Sequence, residues 1–452
     1  MANPAPEHPD VPIAPGRRPL VGHLPALLRD PMSFLQGVRG AGDLVRIHAG
    51  PTQLYVVNSP ELLHQLLVSD AKSYYKGKIF DRAKVAFGEG LLTSEGDFHL
   101  RQRRMVQPAF RTSSFDRWVD VMVGAAQSRV DAWRAGEPVD FLRDMNELTL
   151  SVTIDTLMRS ELTPEAREQV LRSTPIVIHG LITQLMYPSW LPAWVPLPGN
   201  RRFHRGSREL RGVFEHLLRS YRADNADGDD LFSLMCNAND EETNYRMTDE
   251  QVQNEAISFL LASTETTATA LAWICYRLAQ DPQMQQRVRD EVRSVVGDGE
   301  LRWEHVKKLT YTDQVISEGL RLYSPTWMVM RRAVADTRLG PYAVPRDTEL
   351  VFSPTTLHRD PALYEDPLAF KPERWDNVRP SSLKEAYMPF GFGRRKCIGD
   401  GFARLEMLAA LVTFTRQLHL ELPEGVQVTE TKFVANLQPK GLKLRTRALA
   451  RV

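Results

Sequence analysis

The sequence predicts a mainly α protein with small β-sheets folded into it, and three observations carry that reading. Helical hydrophobic patterning runs from about residue 95 to 325 without a linker to break it. Strand-like pieces are confined to residues 44–57, the stretch near 332–351 and the last thirty residues or so. One helix is unusually long. Thr248-Asp249-Glu250-Gln251 is a capping box, and the helical pattern continues to about Gln280, before Asp281-Pro282. At 1.5 Å per residue it is roughly 48 Å long, enough to cross a protein of this size.

Taken in order, residues 1–19 are Pro/Ala-rich and read as an extended arm, and residues 20–452 as a single domain. Leu44–His48 and Leu54–Val57 are short strands joined by a turn at Ala49-Gly50-Pro51-Thr52, a predicted hairpin. Ser59-Pro60-Glu61 supplies an N-cap, a proline at the first helical position and an early acid, so a helix through Leu62, Leu63, Leu66 and Leu67 is expected. From Asp400 to Leu418 the pattern is helical again, with Phe402, Leu405, Leu408, Ala409 and Val412 on one face.

Composition excludes several function classes. The chain has 452 residues, 25% of them charged, and a formal net charge of +1, so no bulk attraction to nucleic acid is implied. Cys236, Cys275 and Cys397 are too few and too scattered for a disulfide framework and fit a reducing cytosol. The first residues carry no apolar core of a secretory signal, and no apolar run reaches spanning length, so a soluble cytoplasmic protein is expected. There is no Walker loop, no third glycine of a dinucleotide fingerprint, no Gly-x-Ser-x-Gly elbow and no zinc-protease helix. No flavin or nicotinamide module is recognisable, so electrons would have to come from another protein.

Chemistry concentrates in one short run, Phe390-Gly391-Phe392-Gly393-Arg394-Arg395-Lys396-Cys397-Ile398-Gly399. Cys397 lies at or just before a helix N-terminus, where free N–H groups and the positive dipole end stabilise a thiolate. The glycines allow tight turning and close approach to a flat ligand. The absence of a second cysteine nearby argues against a zinc–thiolate site. A structural cysteine in a Gly-rich loop is the alternative that glycines and cysteine alone leave open. A second unusual run sits in the apolar middle of the long helix: Ala262-Ser263-Thr264-Glu265-Thr266-Thr267. Five polar residues, three of them β-branched, break local rules there, which often marks function. A Ser/Thr-rich helix crossing is the competing explanation.

Phe390-x-x-Gly393-x-Arg395-x-Cys397-x-Gly399 resembles the haem-binding loop of the cytochrome P-450 family. The resemblance implies that family's mainly α fold, with the long helix over a haem b (iron protoporphyrin IX), and a monooxygenase in which Cys397 ligates iron as a thiolate, a ligand that favours O–O cleavage. Phe390, Gly391, Gly399 and Ala262 would approach the cofactor. Glu265 and Thr266 would be the acid–alcohol pair, Thr266 opening the helix and holding bound dioxygen, Glu265 relaying protons through water. The family often has Gly at Ser263, which bears on the width of the oxygen groove. His99 and Arg103, four apart on one helix face, with Arg332 and Arg395, would meet the haem propionates; the family often has Trp at the His99 position. Arg101 and Arg104 read as a solvated basic face or, with Arg394 and Lys396, as a patch for an acidic redox partner. Glu318, Arg321 and Arg374 would form a buried structural network.

By the same resemblance, substrate contacts fall at residues 80–92, 176–187, around 261, at 326–330 and at 433–437. Phe80, Phe87, Leu181, Met186, Leu261, Ala262, Trp327, Met328 and Val434 are the candidates, each equally readable as ordinary core. Residues 188–196 are an access loop or a packed connection. Arg101-Gln102-Arg103-Arg104-Met105-Val106-Gln107-Pro108-Ala109-Phe110, Pro198-Gly199-Asn200-Arg201-Arg202-Phe203 and Phe352-Ser353-Pro354 are similar to soluble bacterial members that oxidise terpenes, of the pentalenene-oxygenase type. The first and third recur in members that oxidise fatty acids and polyketides such as macrolides. The expected partners are a hydrophobic small molecule, O2, and a ferredoxin or flavodoxin with its reductase. A hydrogen-peroxide-dependent peroxygenase, a haem-based sensor and a thiolate-haem isomerase or dehydratase are the rival functions. An intact Glu265–Thr266 pair argues against the first, and the lack of an output module against the second.

Overall fold

The structure is a computed structural model that describes the chain apart from residues 1–9, 111–114, 158–161, 187–197, 225–229, 241, 432–435 and 450–452. The chain divides into two compact units. One comprises Met1–Phe80, Leu320–Cys397 and Thr431–Leu437; the other comprises Asp81–Gly319, Ile398–Glu430 and Gln438–Val452.

The first unit is built on a five-stranded sheet. Its strands are β1 (Leu44–Ala49), β2 (Thr52–Val57), β3 (Tyr74–Lys76), β4 (Val329–Ala333) and β5 (Glu349–Phe352), in the order β1-β2-β5-β4-β3. The predicted hairpin is present, with Gly50 at φ 61° in its turn. β5 lies parallel to β2, with Leu350 opposite Tyr55. The other pairs are antiparallel. Alternate residues feed two cores, because both faces of the sheet are covered: Leu44, Val57, Leu350 and Phe352 pack on one side, Val45, Ile47 and Val56 with Trp327 and Leu437 on the other. The arm lies against β1, Arg46 donating its N–H to the Pro12 carbonyl at 2.7 Å and accepting from Ala14 at 2.9 Å. Ser59 caps the helix Pro60–His64 as predicted, its hydroxyl accepting from Leu62. That helix is shorter than its apolar pattern implied, because Gln65–Ser69 winds into a wider π-turn.

The second unit is helical. Its main helices are α1 (Gly96–Val106), α2 (Phe141–Leu157), α3 (Asp249–Gln280), α4 (Thr310–Leu322) and α5 (Asp400–Gln417), with the last residues of α4 belonging to the first unit. The capping box of α3 is formed: the Thr248 hydroxyl accepts from Gln251 N–H at 3.3 Å, and the Gln251 side chain accepts from Thr248 N–H at 2.9 Å. Among the described residues α3 is the one helix long and apolar enough to cross a membrane, and 72% of its apolar window is buried inside the protein. α5 corrects the one-sided pattern read from its sequence, since every residue from Leu405 to Thr415 is buried. A helix enclosed on all sides has no solvent face to set a period. A small sheet pairs Leu418–Glu421 with Lys443–Ala448, which pairs in turn with Pro138–Asp140.

Candidate active site

In the first unit the segment before α5 turns Cys397 outward. Cys397 donates its N–H to the Phe390 carbonyl at 2.8 Å, Gly391 donates to Met388 at 3.0 Å, and Lys396 donates to Gly393 at 3.1 Å. Two of the turning residues are in the left-handed region, Gly391 at φ 70° and Gly393 at φ 68°. A Cβ on Gly393 would also sit 2.0 Å from the Leu67 carbonyl oxygen, so the loop lies directly on the π-turn of residues 65–69. Cys397 is exposed, whereas Cys236 and Cys275 are buried. Burial pushes the Cys275 thiol far above its usual range. Cys397 is thus the accessible sulfur of the three, on a short, hydrogen-bonded loop three residues ahead of an 18-residue helix.

The second unit carries the polar run of α3. The helix is continuous there, so the expected opening at Thr266 is not seen; its hydroxyl instead donates to the Ala262 carbonyl at 2.9 Å. Ala262 is exposed, and Phe259 and Thr266, three and four residues away on that side, are partly exposed, as are Ser263 and Glu265. Neighbours on the opposite side, Leu260, Leu261, Thr264, Thr267 and Ala268, are buried. Ser263 turns toward α2: its hydroxyl lies 2.8 Å from that of Thr153 and donates to the Phe259 carbonyl at 2.7 Å. The extra hydroxyl at this position is therefore engaged in helix packing. Thr149, one turn before Thr153, donates to the Thr264 carbonyl at 2.7 Å. Glu265 accepts a hydrogen bond at Oε1 from the Gln438 amide.

His99 and Arg103 lie one turn apart on α1, His99 buried and Arg103 half-buried. Arg332 lies in β4 opposite Glu349, and Arg395 in the turn Gly393–Arg395 of the cysteine loop, both half-buried in the first unit. The solvated basic face expected at Arg101 and Arg104 is not what the structure shows. Arg104 pairs with Asp240 at 2.8 Å and Glu242 at 2.9 Å, and it holds the Asp240 carboxyl down at about 2. Arg101 stacks on Tyr245, 4.3 Å from the ring centre. Both side chains are thus engaged by residues 240–245.

Glu318 and Arg321 are both fully buried on α4. Arg321 donates to the carbonyls of His358 at 2.6 Å, Pro367 at 2.8 Å and Ala369 at 3.0 Å. Arg374 donates to Glu365 and Asp366 in the same loop, and both guanidiniums lie over the Tyr364 ring, at 5.1 and 5.8 Å. The two arginines thus meet on one loop, through its carbonyls.

Of the apolar candidates, Phe87, Leu181 and Leu261 share one core cluster, with Leu92, Phe110 and Phe259 beside them. Trp327 and Met328 share another with Leu437. Phe80 is half-buried, with the Lys76 ammonium 5.0 Å over its ring. The side chain of Met186, residue Val434 and residues 188–196 lie outside the described residues.

The family model for cytochrome P450 matches residues 12–445. The chain belongs to the cytochrome P450 family. Cyclooctatin synthase of Streptomyces melanosporofaciens is 36% identical over 92% of this chain and 91% of its own length. Cyclooctat-9-en-7-ol 5-monooxygenase from the same organism is 35% identical over 91% and 90%. Pentalenene oxygenase of Streptomyces avermitilis is 33% identical over 96% and 97%. As a cytochrome P450 the protein is an oxidoreductase of the monooxygenase family, its cofactor is haem iron, and its fold is the helix-rich one that family membership implies.

The residues present fit a haem. An accessible cysteine sulfur precedes a long helix, two glycines at positive φ turn its loop, Gly393 with no room for a Cβ, and in the middle of α3 the small Ala262 is exposed. Sequence reasoning missed three features of this cytochrome P450. Gln438 is 173 residues from Glu265 and had no motif around it. Thr149 and Thr153 looked like ordinary helix residues. Glu406, nine positions after Cys397, is a fully buried acid in an apolar run, a signal the sequence did contain.

Proposed function

We propose that this cytochrome P450 inserts one atom of O2 into a terpene or similar hydrophobic natural-product intermediate, in the cytoplasm, with electrons from a separate ferredoxin or flavodoxin and its reductase. The observation that carries this reading is the accessible Cys397 on its glycine-turned loop. Likeness over nine-tenths of both chains to Pentalenene oxygenase and to Cyclooctat-9-en-7-ol 5-monooxygenase supports the substrate class.

Cys397 would hold the iron as a thiolate, the positive end of α5 and the loop N–H groups favouring the anion. Phe390, Gly391, Gly399 and Ala262 would line the flat faces, and His99, Arg103, Arg332 and Arg395 would pair with the propionates. Haem, when bound through a thiolate, supplies dioxygen activation and O–O cleavage. Thr266 can release the Ala262 carbonyl and turn its hydroxyl as a donor toward the reacting oxygen. Glu265 can take a proton from water at one carboxylate oxygen and return it toward Thr266. The Glu318, Arg321 and Arg374 side chains serve structure rather than chemistry. Phe80, Phe87, Leu181, Met186, Leu261, Trp327, Met328 and Val434 are the proposed apolar substrate contacts.

Reconstitution with a bacterial ferredoxin and its reductase under 18O2 tests the reading. Polycyclic alkenes that give the low-to-high-spin shift should yield products carrying one 18O atom. Turnover with hydrogen peroxide alone at equal rate would favour a peroxygenase. Oxygen-independent conversion would favour an isomerase.

A further inference from the structure

We propose that Gln438 is a positioning residue for the Glu265 carboxylate, and that its neutral amide lets that acid both accept and release a proton. The inference rests on the role proposed above for Glu265. Gln438 stands immediately before a two-strand ribbon in which Pro439–Lys440 pairs with Thr429–Glu430. From there its Nε2 donates to Glu265 Oε1. The helix beneath Glu265 is held from its other side: Thr149 donates to the Thr264 carbonyl and Thr153 bonds the Ser263 hydroxyl. With the Thr264 carbonyl and the Ser263 side chain tied to that helix, the Glu265 carboxylate is the part left to move, and the Gln438 amide holds it toward the ribbon.

The chemistry of the partner matters. A lysine or arginine in this place would favour the ionised carboxylate strongly and oppose its protonation. An amide has both functions. Its NH2 donates to the carboxylate, and its carbonyl can accept from the protonated acid after a flip. A residue that must cycle between both forms is better served by that partner than by a fixed charge.

The test compares Gln438→Leu, Gln438→Glu, Glu265→Gln and the Glu265→Gln/Gln438→Leu double variant, all haem-loaded. The readouts are the carbon monoxide spectrum, substrate affinity from the spin shift, and peroxide released per substrate oxidised. Peroxide release sends two electrons and two protons to O2 as H2O2, instead of to product and water. We expect Gln438→Leu to leave the spectrum and substrate affinity unchanged and to raise peroxide release about ten- to a hundredfold, the range for loss of one hydrogen bond to a charged group. In the Glu265→Gln background the same change should add little, because the carboxylate it positions is gone. A double-mutant cycle on unfolding, which needs no turnover, should show coupling between the two sites. If Glu265→Gln uncouples the enzyme while Gln438→Leu does not, this inference is overturned and the role of Glu265 stands. If Glu265→Gln itself couples normally, the proposed role of Glu265 fails and takes this inference with it. Should Gln438→Leu not fold, the near-isosteric Gln438→Glu carries the same test: it should leak more peroxide than wild type, and wild-type coupling would overturn the inference.

Discussion

Glu406 lies in the middle of α5 and is fully buried. Neither of its carboxylate oxygens has a hydrogen-bond partner at ordinary distance among the described residues. Burial pushes its carboxyl well above the usual value of 4.5, and the Thr267 hydroxyl of α3 offsets this only in part. The folded protein therefore keeps Glu406 protonated at pH values where the unfolded chain ionises it. A raised folded value contributes stability that is fully present below the unfolded value and is lost as pH rises toward the folded one. Between those limits unfolding releases one proton, and stability falls by about 1.4 kcal/mol per pH unit from this group alone. Glu406→Gln keeps the size and removes the titration. Urea unfolding of the haem-loaded wild type and variant at pH 5, 6 and 7 should show the variant gaining on wild type at each step. A stability difference that stays constant across that range would refute the burial argument.

The glycine-turned loop, the threonine proposed to act on oxygen and the buried arginine give three further expectations. Gly393→Ala must hold φ near 68° and place a Cβ 2.0 Å from the Leu67 carbonyl oxygen. The backbone term is about 1–2 kcal/mol and the overlap about 1–3 more. The variant should purify with less haem and a lower melting temperature, and full haem content at wild-type Tm would contradict the loop geometry. Thr266→Ala should keep the carbon monoxide spectrum but divert reducing equivalents to peroxide, and unchanged coupling would count against its role. Arg321→Lys strands buried carbonyls of residues 358, 367 and 369 that a guanidinium reaches as a fork. It should destabilise by about 3 kcal/mol or more, and a variant of wild-type stability would remove Arg321 from the structural network.

Much of the fold was legible because its signals are local. The β1–β2 hairpin, the Ser59 cap and the capping box at Thr248 each depend on residues within a few positions, and each formed where read. The cysteine loop was legible for the same reason: ten consecutive residues hold the turn and the thiol. What escaped depends on burial or on distant partners. α5 has no exposed face, so the period that located the helix did not show that its other side is buried as well. Arg101 and Arg104 looked solvated until Tyr245 and Asp240 appeared more than a hundred residues along the chain. Ser263 read as a change in the oxygen groove, but its hydroxyl is bonded to Thr153 on another helix. Glu265 and Gln438 have no shared pattern at all; only the fold joins them.

The ligation of iron by Cys397 is tested most directly by the carbon monoxide difference spectrum of the reduced, folded, haem-loaded protein. Thiolate ligation predicts the strongly red-shifted Soret band, lost in Cys397→Ala. An ordinary haem-protein band in the wild type, or a red-shifted band that survives in Cys397→Ala, would contradict it.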